Sequence, residues 1–205
     1  PLAHCITTVN STKCLIGQEL LASVEGVKDQ LELADKDYLW LKDSQLDQTS
    51  PDWATDFSAT LADMPTHNHP ETDDIAAGEI ALFIFTSGTT GLPKGAMLTH
   101  GNVFWNSINV CFGEDGLSGT TLTCAPLFHI GGLNVTTLLS LGKGVEVVLL
   151  RSFDAGEVLS LIEKHSVTTM FGAPTMFLMM VQDESFATRD LSSIVTLTCG
   201  GAPVP

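Results

Sequence analysis

Apolar and polar positions change rhythm along the 205-residue chain. Near the start, Lys13-Cys-Leu-Ile16 is a short apolar run, and an amphipathic stretch follows over 18–33. There Leu20, Leu21, Val24, Val27, Leu31 and Ala34 recur at three-and-four spacing, which predicts a helix with one buried face. Tyr38-Leu-Trp-Leu41 reads as a strand, Ser50-Pro-Asp-Trp53 opens a second helix or a long loop, and Pro65-Thr-His-Asn-His-Pro70 reads as loop. From Ile80 the pattern becomes that of an α/β protein. Ile80-Ala-Leu-Phe-Ile-Phe85 is continuously apolar, as a strand covered on both faces would be. Ala96-Met-Leu98, Thr121-Leu-Thr-Cys-Ala125, the stretch 145–150, Val167-Thr-Thr-Met-Phe171 and the stretch 194–198 are further strands. Between them, Thr99 caps a helix through about Cys111, 130–141 can be helical, and Asp154-Ala-Gly-Glu157 caps a helix ending near His165. Pro174 sits in the first turn of another helix. Strands alternating with helices predict crossover units: an α/β fold with a mostly parallel sheet and flanking helices.

Composition narrows the class. Hydrophobic residues make up 44% and charged residues 16%, enough to bury a sizeable core. The net charge of −15 is uneven: residues 1–75 carry −10 and 76–205 carry −5. No basic face is visible, which argues against nucleic acid and against an anionic membrane surface as partners. The composition shift near Asp73-Asp74 separates an acidic lead-in of mixed elements, 1–72, from a more apolar core region, 73–205. Cys5, Cys14, Cys111, Cys124 and Cys199 are odd in number, scattered, and lack a C-x-x-C pair. That usage suits reduced thiols in a cytoplasmic protein. No basic leader opens the sequence, and the longest uncharged run, 116–142, is broken by Pro126 and rich in Thr, Ser and Gly, so it reads as buried protein. The missing initiator Met and the ending at Gly200-Gly-Ala-Pro-Val-Pro205 predict a piece of a longer protein.

The chemistry concentrates in Phe85-Thr-Ser-Gly-Thr-Thr-Gly-Leu-Pro-Lys94-Gly95. Glycines let successive N–H groups converge on an anion, and rotatable hydroxyls add donors for phosphate oxygens. Pro93 stiffens the exit, and Lys94 is the only Lys or Arg between Lys42 and Lys143. A flexible surface turn has the same composition. The spacing is not a Walker A loop, since Gly88 leads to Pro93-Lys94-Gly95 rather than Gly-Lys-Ser/Thr.

At these residues the chain resembles a known family. Thr86-Ser-Gly-Thr-Thr-Gly-Leu-Pro-Lys-Gly-Ala-Met-Leu-Thr-His100 is similar to the signature of the AMP-forming acyl-adenylate synthetases, which include acyl- and aryl-CoA ligases, luciferases and peptide-synthetase adenylation domains. Ala125-Pro-Leu-Phe-His-Ile-Gly-Gly132 and Cys199-Gly-Gly-Ala-Pro203 resemble two further family motifs in order and spacing. Pro126-Leu-Phe-His-Ile-Gly-Gly-Leu-Asn134 most resembles fatty-acyl-CoA ligases. The resemblance covers 73–205 well and 1–72 loosely, and implies part of the N-terminal domain of an acyl-adenylate-forming enzyme.

The resemblance implies that ATP and a carboxylic acid, here a fatty acid, give an acyl-adenylate and pyrophosphate, after which CoA takes the acyl group. It places Thr86, Ser87, Gly88, Thr89, Thr90 and Gly91 on the phosphates, with Lys94 assisting catalysis and Mg2+ bridging phosphate oxygens rather than sitting in a protein metal site. It puts His129 at the carboxylate and acyl channel, in a catalytic or substrate-binding role, with Gly131 and Gly132 beside the substrate. Helix–sheet packing is the competing reading of those two glycines. Gly200, Gly201, Ala202 and Pro203 would line the adenine and acyl site. A Tyr-Gly-x-Thr-Glu block, a ribose-binding Asp and a C-terminal Lys of the relatives lie beyond these residues, so the 205 residues alone are expected to be inactive. Alternatives are a non-catalytic nucleotide- or acyl-binding module, an aryl-CoA ligase and a peptide-synthetase adenylation domain. No transmembrane segment is expected, although peripheral membrane association of the longer protein stays open. His67 and His69 lack a third ligand nearby, Met176-Phe-Leu-Met-Met180 reads as a core helix or the wall of an acyl tunnel, and Cys199 is not read as a nucleophile.

Overall fold

The computed structural model describes residues 1–42, 50–62, 64, 74–86, 91–113 and 119–204. They form two compact units: Pro1–Ile75 with Phe85–Ala96, and Ala76–Ile84 with Met97–Pro205.

The first unit contains helix α1 (Leu2–Thr8), strand β1 (Cys14–Gly17), the short helix α2 (Leu21–Glu25), strands β2 (Tyr38–Leu41) and β3 (Thr55–Asp56), and helix α3 (Phe57–Ala62). Its three strands are parallel in the order β1-β2-β3, with Cys14 opposite Tyr38 and Trp40 opposite Asp56. Ile16, Val24 and Tyr38 form the buried centre, with Leu21, Leu31 and Trp53 packed on it. Tyr38 and Trp53 meet edge to face at 5.6 Å. The helix expected over 18–33 is broken into a 3-10 turn at Gln18–Leu20, α2, and a second 3-10 turn at Lys28–Gln30. Gly26 ends α2, and the turn after it lets Leu31 and Leu33 fold back onto the cluster. Leu20, assigned to the buried face, is 52% exposed. The region after Ser50 does become helical, but only after β3, where Asp56 accepts from the N–H groups of Ser58 and Ala59.

Strands β4 (Ile80–Thr86) and β5 (Lys94–Thr99) pair as a two-stranded ladder. The apolar run at 80–85 is thus a strand, but its expected two-faced burial fails. Only Ile84 of this strand is buried, while Ile80 and Phe83 are exposed: among the described residues β4 pairs with β5 alone, and a strand has both faces buried only where layers pack on each side of its sheet. Thr99 opens helix α4 (His100–Gly113) as expected: its Oγ1 accepts from the Asn102 N–H at 3.1 Å, and Asn102 Oδ1 accepts in return from the Thr99 N–H.

The larger sheet belongs to the second unit. Strands β6 (Thr120–Thr123), β7 (Val147–Leu149), β8 (Val167–Gly172) and β9 (Thr196–Cys199) are all parallel, in the order β7-β6-β8-β9. Side chains alternate across it. Leu122 and Met170 pack against α7 (Ala155–His165) and α8 (Pro174–Gln182) through Val158, Leu159, Ile162 and Met180. The buried positions of α7 follow the helical period, and Asp154 caps it by accepting from the Glu157 N–H at 2.8 Å. Thr121 and Thr123 point the other way, to the helical run α5 (Ile130–Gly132), a π turn (Leu133–Thr137) and α6 (Leu138–Gly142). Their hydroxyls are satisfied there: Thr121 bonds Ser140 and Thr123 bonds Thr137, each at 2.8 Å. One face of the sheet is therefore hydrocarbon and the other a buried hydroxyl layer in which those groups find partners.

Candidate functional site

Strand order reverses between β6 and β8: the chain leaves β6 for β7 on one side, then crosses back to β8 on the other. In open parallel sheets the two neighbouring loops diverge at such a point and leave a crevice at the carboxyl ends of the strands. A cleft of about 150 Å³ lies there. Ala125, Pro126, His129 and Gly132 reach it from the segment after β6, Phe171 and Ala173 from the end of β8, Met176 from α8, and Gly200 and Gly201 from the turn after β9. The walls are mostly apolar, and the imidazole of His129 is the titratable group among them.

His129 caps α5. Its Nδ1 accepts the Gly131 N–H at 3.1 Å, so the ring proton of the neutral imidazole resides on Nε2, which keeps a donor available. The two glycines after it are held by protein. A Cβ on Gly132 would lie 2.2 Å from the Pro126 carbonyl oxygen, and one on Gly131 would lie 2.8 Å from the Phe171 ring. Gly201 takes φ +83° with no described atom within 4 Å of a Cβ position, and Gly200 continues the β8–β9 pairing through its N–H to the Gly172 carbonyl. Ala202 and Pro203 are exposed. The preceding Cys199 is exposed, whereas burial pushes the Cys124 thiol up to about 11.

The hydroxyl-rich loop belongs to the first unit at its two ends. Thr86 is exposed, and its Oγ1 donates to the Lys94 carbonyl at 3.4 Å, drawing the two ends together. Among the described residues no atom lies within 4 Å of a Cβ position on Gly91. Lys94 is exposed, and among the described residues no carboxylate pairs with it. Ser87, Gly88, Thr89 and Thr90 lie outside the described residues, as do His67 and His69. Among the described residues no group of three or more His, Cys, Asp or Glu side chains gathers as a metal cage, and no helix is long and apolar enough to cross a membrane.

Two features of the second unit, the roles of Phe171 and Asn134, are not legible in the sequence. Phe171 was read only as the end of a strand, and nothing in its local pattern reveals a cleft wall. Met176, for which the sequence offers a core helix or a tunnel wall, packs on the core and also lines the cleft. Asn134 lies 94% buried in the π turn; its carbonyl accepts from Asn106, while its Oδ1 has no partner among the described residues.

A parallel sheet with flanking helices and a cleft at its reversal point is an α/β architecture of the open, ligand-binding class. The family model described as AMP-binding enzyme matches residues 2–205, and the chain belongs to that family. A feruloyl-CoA synthase of Amycolatopsis sp is 47% identical over 138 residues, covering 66% of this chain and 28% of the relative. A long-chain-fatty-acid–CoA ligase of Bacillus subtilis is 38% identical over 130 residues, covering 62% and 23%. The inhibitor-bound N-terminal domain of FACL13 from Mycobacterium tuberculosis superimposes with a TM-score of 0.80 at 22% identity, over all of this chain and 48% of that one, and shares its fold. The matched residues span under a third of the length of these curated relatives.

Proposed function

We propose that the protein carrying this chain is an AMP-forming carboxylate–CoA ligase. The acid's carboxylate attacks the α-phosphorus of ATP, pyrophosphate leaves, and the CoA thiol then displaces AMP from the acyl-adenylate. The observation that carries this reading is convergence: two motif segments about seventy residues apart, 125–132 and 199–203, contribute to one cleft at the sheet's reversal point. Thr86, Ser87, Gly88, Thr89, Thr90 and Gly91 hold the phosphates through N–H and hydroxyl donors. Lys94 offsets phosphate charge that would otherwise repel the incoming carboxylate. Mg2+ would enter with ATP and would lower the negative charge that the attacking carboxylate meets. His129 offers Nε2–H at the cleft, Gly131 and Gly132 set how close the helix approaches it, and Gly200, Gly201, Ala202 and Pro203 border the nucleotide and acyl group. Five free thiols support a reducing, cytoplasmic setting.

The acid is proposed to be an aryl acid. The cleft of about 150 Å³ between Phe171, Met176 and Pro126 has room for one aromatic ring. The feruloyl-CoA synthase relative has the higher identity of the two ligases compared. A fatty acid is the second reading, favoured by the Bacillus relative and by the unbranched Met176 in the wall. Pyrophosphate release by the intact protein is to be measured with hydroxycinnamates, benzoates, medium- and long-chain fatty acids and amino acids. The highest kcat/KM is expected with an aryl acid. A preference for fatty acids would replace the substrate class, one for amino acids would indicate an adenylation domain, and silence with every acid would leave only a binding module.

A further inference from the structure

Within the first unit, α1 touches the exit of the hydroxyl-rich loop. Half-buried His4 places Nε2 3.2 Å from the Pro93 carbonyl oxygen, 89 residues away in sequence. A carbonyl only accepts, so Nε2 carries the proton. Nδ1 of the neutral ring is then an acceptor, and the Thr8 hydroxyl one turn on lies 3.4 Å from it. The next carbonyl, that of Lys94, accepts from Thr86 Oγ1. Two successive peptide planes, one on each side of the Lys94 Cα, are thus held by different elements. The Pro93 ring fixes a further torsion. Together these restraints fix the direction in which the Lys94 side chain leaves the backbone.

We propose that His4 is a positioning residue for Lys94: by holding the Pro93 carbonyl it aims the ammonium group and limits the orientations that must be lost when ATP binds. This rests on the reading of Lys94 as the phosphate-facing cation. Neither α1 nor His4 need touch the nucleotide.

The test uses the intact protein and acid-dependent pyrophosphate release, with His4→Ala, His4→Asn, His4→Gln, Lys94→Ala and the double variant His4→Ala/Lys94→Ala. Losing one hydrogen bond of this kind is expected to raise KM for ATP about three- to tenfold, leaving KM for the acid unchanged. The Gln amide nitrogen can reach as far as Nε2, so His4→Gln restores a low KM. Asn is too short and behaves like Ala, a distinction that holds even if His4→Ala fails to fold. In the double variant, the His4 change adds nothing to the loss from Lys94→Ala. A normal KM in His4→Asn, no rescue by Gln, or an undiminished His4 effect without Lys94 would overturn the positioning role alone. If Lys94→Ala itself matches the wild type, the phosphate reading of the loop fails and the positioning role falls with it.

Discussion

Cys124 sits at the end of β6, where desolvation raises its thiol to about 11, while Cys111 and Cys199 are exposed. A thiolate-specific reagent at pH 8 should therefore modify Cys111 and Cys199 in the folded protein and reach Cys124 only after unfolding; equal labelling rates would contradict the burial. The same shift has a stability consequence. A thiol ordinarily ionises near 9, so the unfolded chain loses its proton first as pH rises. Stabilisation present below pH 9 is lost between about 9 and 11, and Cys124→Ala should flatten that limb of a plot of Tm against pH. Glu163 shifts in the opposite sense: the Arg189 guanidinium at 2.9 Å, then the Asp190 N–H, hold its carboxyl low. Its contribution is present above the ordinary carboxylate range and declines as pH falls through the depressed value. Glu163→Gln should reduce the loss of Tm in acid. At this scale the sequence told which residues could carry chemistry but not which would be buried: Cys124 and Cys199 look alike until the sheet closes over one of them.

Elements were legible where their signals are local. Thr99, Asp154 and Pro174 mark helix starts through side-chain caps and a fixed φ, and each does so in the structure. Helix α1 was not read, because it buries no residue and has no side-chain cap. The break at Gly26 answers to packing of Leu31 and Leu33, and the π turn that contains Asn134 lies inside the stretch 130–141 that the pattern allows to be helical. Gly132 makes the point sharply: its need for glycine comes from the carbonyls of Ala125 and Pro126, which only the fold brings beneath it. Backbone atoms cannot swing away, so Gly132→Ala is expected to cost about 1–3 kcal/mol in denaturant unfolding. At Gly131 the obstacle is the far end of the Phe171 ring, which can move, so Gly131→Ala should cost less and instead push the ring toward the cleft. A ranking with Gly131 the more sensitive would contradict this packing.

For the whole molecule, the parallel β7-β6-β8-β9 order turns a string of alternating segments into a site, because reversal between β6 and β8 opens a crevice that the motif residues border. The strong negative charge and the family match were readable from the chain itself; the strand order that makes the crevice was not, since it depends on which strand β8 chooses as neighbour. The most direct measurement is a crystal structure of the intact protein bound to a nonhydrolysable acyl-sulfamoyl adenosine bearing an aryl acyl group. The ring is predicted to lie against Phe171 and Met176, with the acyl sulfamate near His129 and the Gly200-Gly201 turn. Density for the acyl group elsewhere, with this cleft left open, would contradict the account.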